Sequence, residues 1–190
     1  MYCKKLLDIV SFEESKRYLI DKLIIYKLDE YLKNRITLRE RKNINPVKFA
    51  IEMGVEYKIA IMTFIVGSRV KLFKIRLFYE CDCGERKELE TTKENIECEC
   101  GKIGNYESLK ENIKLYFQLL EIPTPCEWNE QYSNEADLLK ESDLLAFDNS
   151  FSDIEKVGGS ELMNEIKSDC FRDAREALME RYIGEESEGI

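Results

Sequence analysis

From Ser11 to about Ile36, apolar residues recur at helical spacing, and Ile20, Ile24, Leu28 and Leu32 keep an interval of four. This pattern predicts one long helix with Ser11 as its N-cap. Glu13 and Glu14 fall where the helix dipole favours negative charge. Next, Asn45 can cap a helix that starts at Pro46, since proline loses no helical hydrogen bond there, and Gly54 ends it. A second helix is expected from Glu56 to Val66, closed by Gly67. The period then changes to two. In the run VKLFKIRLFYE, Lys71, Phe73, Ile75, Leu77 and Tyr79 share one face of a strand, and Val70, Leu72, Lys74, Arg76 and Phe78 share the other.

Further strands are expected over Arg86 to Thr92 and over 112–120, so residues 70–120 read as a small antiparallel sheet with a knuckle at its tip. Pro123 and Pro125 close that unit. Residues 124–158 are acidic and weakly periodic, with one short helical candidate in EADLLKESDLLAF. After Gly158 and Gly159, Ser160 caps a final helix running to about Ile183. Its stripe is Leu162, Ile166, Cys170, Ala174, Leu178 and Tyr182. The fold class is therefore α+β, in four parts. Residues 1–79 form a winged-helix-like region that includes the long helix, and 80–122 a four-cysteine zinc ribbon with its closing strand. An acidic linker occupies 123–159, and an amphipathic helix with its tail 160–190.

The sharpest motif is a pair of near copies, CDCG at 81–84 and CECG at 98–101, with fourteen residues between Cys83 and Cys98. Zinc takes four thiolates tetrahedrally at about 2.3 Å, and paired cysteines on two hairpins supply them with little strain. Cys81, Cys83, Cys98 and Cys100 are the expected ligands of one structural zinc per chain. Knuckles of this kind more often place two residues between their cysteines; here there is one. A strained CxC redox disulfide and an iron–sulfur cluster are the alternatives, and the duplication speaks against the first. Four cysteines leave no open position for water or substrate, so the metal is expected to be structural rather than catalytic. Cys3, Cys126 and Cys170 are single and are expected as buried thiols acting as small hydrophobes.

The chain has no histidine, which removes the commonest general base and all mixed Cys/His metal sites. It also lacks a phosphate loop, a dinucleotide glycine pattern, a nucleophile elbow and a zincin helix, and so reads as a non-enzyme. The net charge of −9 is unevenly spread: residues 1–80 carry 17 Lys and Arg against 10 Asp and Glu, and residues 81–190 carry 12 against 28. Different partners for the two halves follow from that asymmetry. No apolar run approaches the roughly 18 residues of a membrane span, and no signal peptide is recognisable, so a cytoplasmic protein is expected.

Helices 46–53 and 56–66, meeting at Gly54, resemble a helix-turn-helix, although any αα-hairpin fits the same spacing. The second helix, EYKIAIMTFIV, would be the DNA reader, yet it offers only Lys58 as a cation. Arg39, Arg41, Lys42, Arg69, Lys71, Lys74 and Arg76 surround it and could, with Lys58, grip phosphates without reading sequence. A solvated charged face explains them equally well. The C-terminal stripe could dock on a larger protein subunit or pack on its own chain.

The run GVEYKIAIMTFIVGSRVKLFKIRLFYECDCG with CECG, over about residues 45–120, resembles the winged-helix then zinc-ribbon layout of archaeal transcription factor E and its eukaryotic counterpart. It is also similar to small accessory proteins of bacterial anti-phage defence operons. The resemblance implies an adaptor or regulatory subunit that accompanies a larger ATPase or nuclease. A DNA-binding transcription regulator is the second expectation, and a CxC thiol redox protein the third.

Overall fold

The computed structural model describes residues 1–89, 95–105, 108–128 and Ser150. It is mixed helix and sheet. Among the described residues, five α-helices, α1 (Tyr2–Ser11), α2 (Glu13–Arg17), α3 (Lys22–Glu30), α4 (Pro46–Met53) and α5 (Tyr57–Arg69), precede five strands. These are β1 (Phe73–Glu80), β2 (Arg86–Leu89), β3 (Ile96–Glu97), β4 (Ile103–Gly104) and β5 (Ile113–Leu119). One sheet has the order β2-β1-β5, and β3 pairs with β4 in a second. The chain divides into two compact units. The described part of the first comprises residues 1–76 and 115–128; that of the second comprises 77–89, 95–105, 108–114 and Ser150.

The long helix expected from Ser11 to Ile36 is broken into α2, α3 and a π-helical turn over Tyr31–Arg35, and α1 precedes it. Ser11 is the last residue of α1 rather than an N-cap, and its Oγ donates to the Asp8 carbonyl at 2.6 Å. Phe12 is extended, and Leu19 ends α2 in the left-handed region at φ 58°. Asp21 then caps α3 by accepting from the Ile24 amide at 3.0 Å. Short polar side chains that bond nearby backbone compete with helix continuation, and Ser11 and Asp21 both do so.

The turn between α4 and α5 follows expectation. Asn45 Oδ1 accepts from the Val47 amide at 2.8 Å, Pro46 opens α4, and Gly54 ends it at φ 57°. Gly67 does not stop α5, which continues to Arg69. A Cβ at Gly67 would lie 2.6 Å from Phe73 Cδ2, so the glycine is there to admit the Phe73 ring. An interior helical glycine costs about 1 kcal/mol of propensity, and the close ring contact accounts for it here.

The core of the first unit is aromatic. Phe64 on α5 packs edge-on against Phe49 at a centroid distance of 5.5 Å. It also lies 4.8 Å from Phe73 and 5.0 Å from Phe117. Tyr31 extends the chain of rings to Phe49 at 5.2 Å. Such pairs contribute roughly 0.5–1.5 kcal/mol each beyond area burial. Phe117 reaches the cluster from β5, where Ile44 forms a reciprocal backbone bridge with it.

One charge is sunk into this unit. Asp29 is only 3% exposed, and three donors satisfy it. Tyr2 Oη bonds Oδ1 at 2.8 Å, while Lys33 Nζ and Trp128 Nε1 both bond Oδ2 at 2.6 Å. Trp128 ends the stretch 121–128, which is held at two further points. Lys5 pairs with Glu121 at 2.5 Å, and Cys3 is disulfide-bonded to Cys126. The expectation of isolated buried thiols is therefore corrected for Cys3 and Cys126: the Asp29–Trp128 and Lys5–Glu121 contacts bring their backbones within bonding reach, with Cα atoms 5.6 Å apart. Cys170, the acidic linker beyond Trp128 and the helix expected at 160–183 fall outside the described residues, apart from Ser150. That residue bridges Lys114 of β5.

Candidate metal centre

Both cysteine knuckles are tight hairpin turns built in the same way. In the first, the Gly84 amide bonds the Cys81 carbonyl at 2.8 Å, and the Cys81 amide bonds the Glu85 carbonyl at 2.8 Å. In the second, the matching bonds run from Gly101 to Cys98 and from Cys98 to Lys102, each 2.9 Å. Gly84 and Gly101 have φ of 94° and 88°, which L side chains rarely adopt. Nothing stands within 4 Å of a Cβ at either position, so backbone conformation and not space selects glycine. The first knuckle links β1 to β2, with Glu80 opposite Arg86. The second links β3 to β4, with Glu97 opposite Ile103.

These turns bring the four sulfurs of Cys81, Cys83, Cys98 and Cys100 within 4.8 Å of one another. Cys81 lies 3.7 Å from Cys100, Cys83 3.3 Å from Cys98, and Cys98 3.2 Å from Cys100. A tetrahedral centre with metal–sulfur bonds of about 2.3 Å has sulfur–sulfur edges of about 3.8 Å, so small side-chain adjustments suffice. None of the four is disulfide-bonded. Cys81 and Cys98 are buried, whereas Cys83 and Cys100 are exposed.

Two cross-links join the knuckles and were not anticipated. Lys102 pairs with Asp82 at 3.1 Å. Glu85 Oε2 accepts from the Glu99 amide at 2.7 Å and from Cys98 Sγ at 2.8 Å. The second position of each knuckle is therefore engaged by the residue following the glycine of the other. A signal was present: CDCGE and CECGK end in opposite charges. Asn112 secures the first knuckle from outside, donating to the Glu80 carbonyl and to Asp82 Oδ1, each at 3.1 Å.

The electrostatics differ between the two buried sulfurs. The Cys83 amide favours the Cys81 thiolate and lowers its pKa to about 6. The Glu85 carboxylate opposes charge on Cys98 and pushes that thiol up. Tyr79 itself is fully buried, and its hydroxyl has no hydrogen-bond partner. A metal fits this all-sulfur set: it would displace the Cys98 proton now shared with Glu85 and hold Cys81 as a thiolate, an anionic acceptor on the side of the chain that carries the orphaned hydroxyl.

The basic residues singled out from the sequence have differing surroundings. Arg69 is ion-paired with Glu14. Arg76 donates to the Lys42 carbonyl at 3.1 Å and to Asn43 Oδ1 at 2.9 Å, and Arg41 donates to the Leu32 carbonyl at 3.2 Å. Lys58 stands 5.5 Å from the centre of the Tyr18 ring. Arg39, Lys42, Lys71 and Lys74 are exposed. Helix α5, the expected DNA reader, is the central core helix, with nine of its 13 residues buried. The six stripe residues Leu162 to Tyr182 lie outside the described residues. Among those described, no helix is long and apolar enough to cross a membrane. No protein-family model, curated protein or solved structure matches the chain.

Proposed function

We propose that the chain is a non-catalytic, zinc-stabilised adaptor or regulatory subunit, with one structural zinc held by Cys81, Cys83, Cys98 and Cys100. The observation that carries the metal reading is the convergence of four sulfurs from two matched glycine turns to within 4.8 Å. An all-sulfur tetrahedral set selects zinc or iron, and with every position taken the ion serves folding, not chemistry. Strands β3 and β4 have two residues each, and so short a hairpin is marginal by itself. Tying it to the β1–β2 turn through a metal gives it the anchor it lacks.

The adaptor role rests on the absence of catalytic motifs in the sequence and on the basic-to-acidic charge split. The winged-helix and zinc-ribbon assignments, a cytoplasmic location and service in an anti-phage complex belong to this same proposal. In a reducing compartment Cys3–Cys126 would exchange with cellular thiols while zinc protects the other four. The DNA-regulator alternative is weakened by the burial of α5, which has too little free face to enter a major groove. A redox role for Cys81 and Cys83 is weakened by the partnering of each with a sulfur of the other knuckle.

The test is elemental analysis together with native mass spectrometry of the chain purified with the products of neighbouring genes. One zinc per chain in a stable larger assembly is the expected result. A metal-free monomer carrying a Cys81–Cys83 disulfide would overturn both the metal and the adaptor readings.

A further inference from the structure

The two knuckles are near repeats, but the residues two positions before their first cysteines differ: Tyr79 before Cys81, Ile96 before Cys98. Both are buried, at 0% and 2% exposure. Residues two apart on a strand share a face, so Tyr79 lies on the same side of the chain as Cys81. A buried hydroxyl without a partner is destabilising, and native proteins seldom leave one so. On that same side stands the Cys81 sulfur, which lies within 4.8 Å of the sulfurs of Cys83, Cys98 and Cys100.

We propose that Tyr79 is an outer-sphere positioning residue of the metal centre, its hydroxyl donating a hydrogen bond to the Cys81 thiolate. This deepens the zinc reading and rests on it. The chemistry is specific. A hydrogen bond to a metal-bound thiolate withdraws electron density from sulfur, lowers its reactivity and holds the cysteine in one rotamer. Only the first knuckle has this device, since Ile96 cannot donate. Beside Cys98 stands Glu85 instead, its carboxylate anchored on the Glu99 amide. The centre is therefore asymmetric: one buried sulfur is held by a hydroxyl and the other is flanked by the partner knuckle's Glu85 carboxylate, while Cys83 and Cys100 face solvent.

The experiment replaces zinc with cobalt(II) in the full chain and compares wild type with Tyr79→Phe, which keeps the ring and removes only the hydroxyl. A Tyr31→Phe variant in the first unit controls for loss of a buried tyrosine hydroxyl. In wild type, the tetrahedral thiolate spectrum is expected. In Tyr79→Phe the sulfur-to-cobalt charge-transfer band should move to longer wavelength, and zinc affinity measured against a chromophoric chelator should fall about tenfold. Tyr31→Phe should change neither. Tyr79→Met, which also lacks the hydroxyl but fills the site flexibly, must move the band in the same direction, so a packing defect in one variant does not decide the matter. If wild type gives the tetrahedral spectrum and both Tyr79 variants match it in band position and affinity, this inference falls while the zinc reading stands. If wild type gives no such spectrum, both fall.

Discussion

Glu40 illustrates how much a single carboxylate can organise at the surface. It accepts from the Thr37 amide at 2.8 Å, while its own amide donates to Thr37 Oγ1 at 3.3 Å, a capping box written in the sequence as TLRE. Lys48 closes the arrangement at 2.5 Å from Oε1. The Lys48 hydrogen bond, with those from Thr37, lowers the Glu40 pKa from 4.5 to about 2. Because the folded value lies below the unfolded one, the contribution is complete above the unfolded pKa and is lost as pH falls through the folded one. Glu40→Gln should therefore flatten the stability profile between about pH 4.5 and 2 and leave it unchanged in shape near neutrality. Urea unfolding across that range checks it, and an unaltered acid limb would remove the assignment. Both partners are more than a third exposed, so the effect is expected to be small and salt-sensitive.

Among the elements, α5 has the greatest influence on the first unit. Its Phe64 joins rings contributed by α4, β1 and β5, and its Gly67 lets Phe73 approach. Gly67→Ala should gain about 1 kcal/mol of helix propensity and lose about 2 from overpacking, since Phe73 is 1% exposed and has nowhere to move. A net destabilisation of about 1 kcal/mol is expected, read from the denaturation midpoint. A net gain would mean that the ring can yield. The same element shows that a pattern can give an element's type without its surroundings: α5 is a helix as its period predicts, and nine of its 13 residues are buried. Similarly, the long helix expected from Ser11 had the right period but not its interruptions. Those depend on where Ser11, Ser15 and Asp21 place their side-chain oxygens.

For the molecule as a whole, the consequence is two units held by different means. The first has an aromatic core, a satisfied buried charge at Asp29 and a disulfide. The described part of the second has short strands and the sulfur cluster. Chelation should therefore act unevenly. After metal removal, hydrogen exchange followed by mass spectrometry should accelerate strongly over 77–89 and 95–105, with protection in α4 and α5 retained. Uniform loss of protection would show the metal to be a global linchpin, and no change would show it to be dispensable. Thermal unfolding of such a chain is not expected to be two-state, so a single Tm would describe neither unit.

The sequence alone was enough for the mixed class, the glycine turn between α4 and α5, the strand at β1 and the four cysteines as one group. Each is a local matter of period, cap or repeat, and local backbone preferences settle it. Tertiary structure decided the rest. Glu85 across from Cys98 and Asp82 against Lys102 depend on how two hairpins meet, which no spacing encodes. The Cys3–Cys126 pairing spans 123 positions and becomes possible only once the chain near Trp128 returns to Asp29. Whether a charged residue stays on the surface or ties loops together, as Arg41 and Arg76 do, is set by which carbonyls the fold leaves in reach. Hydrogen bonds between distant segments form only after the core has placed them, and for that reason they were not legible from the chain by itself.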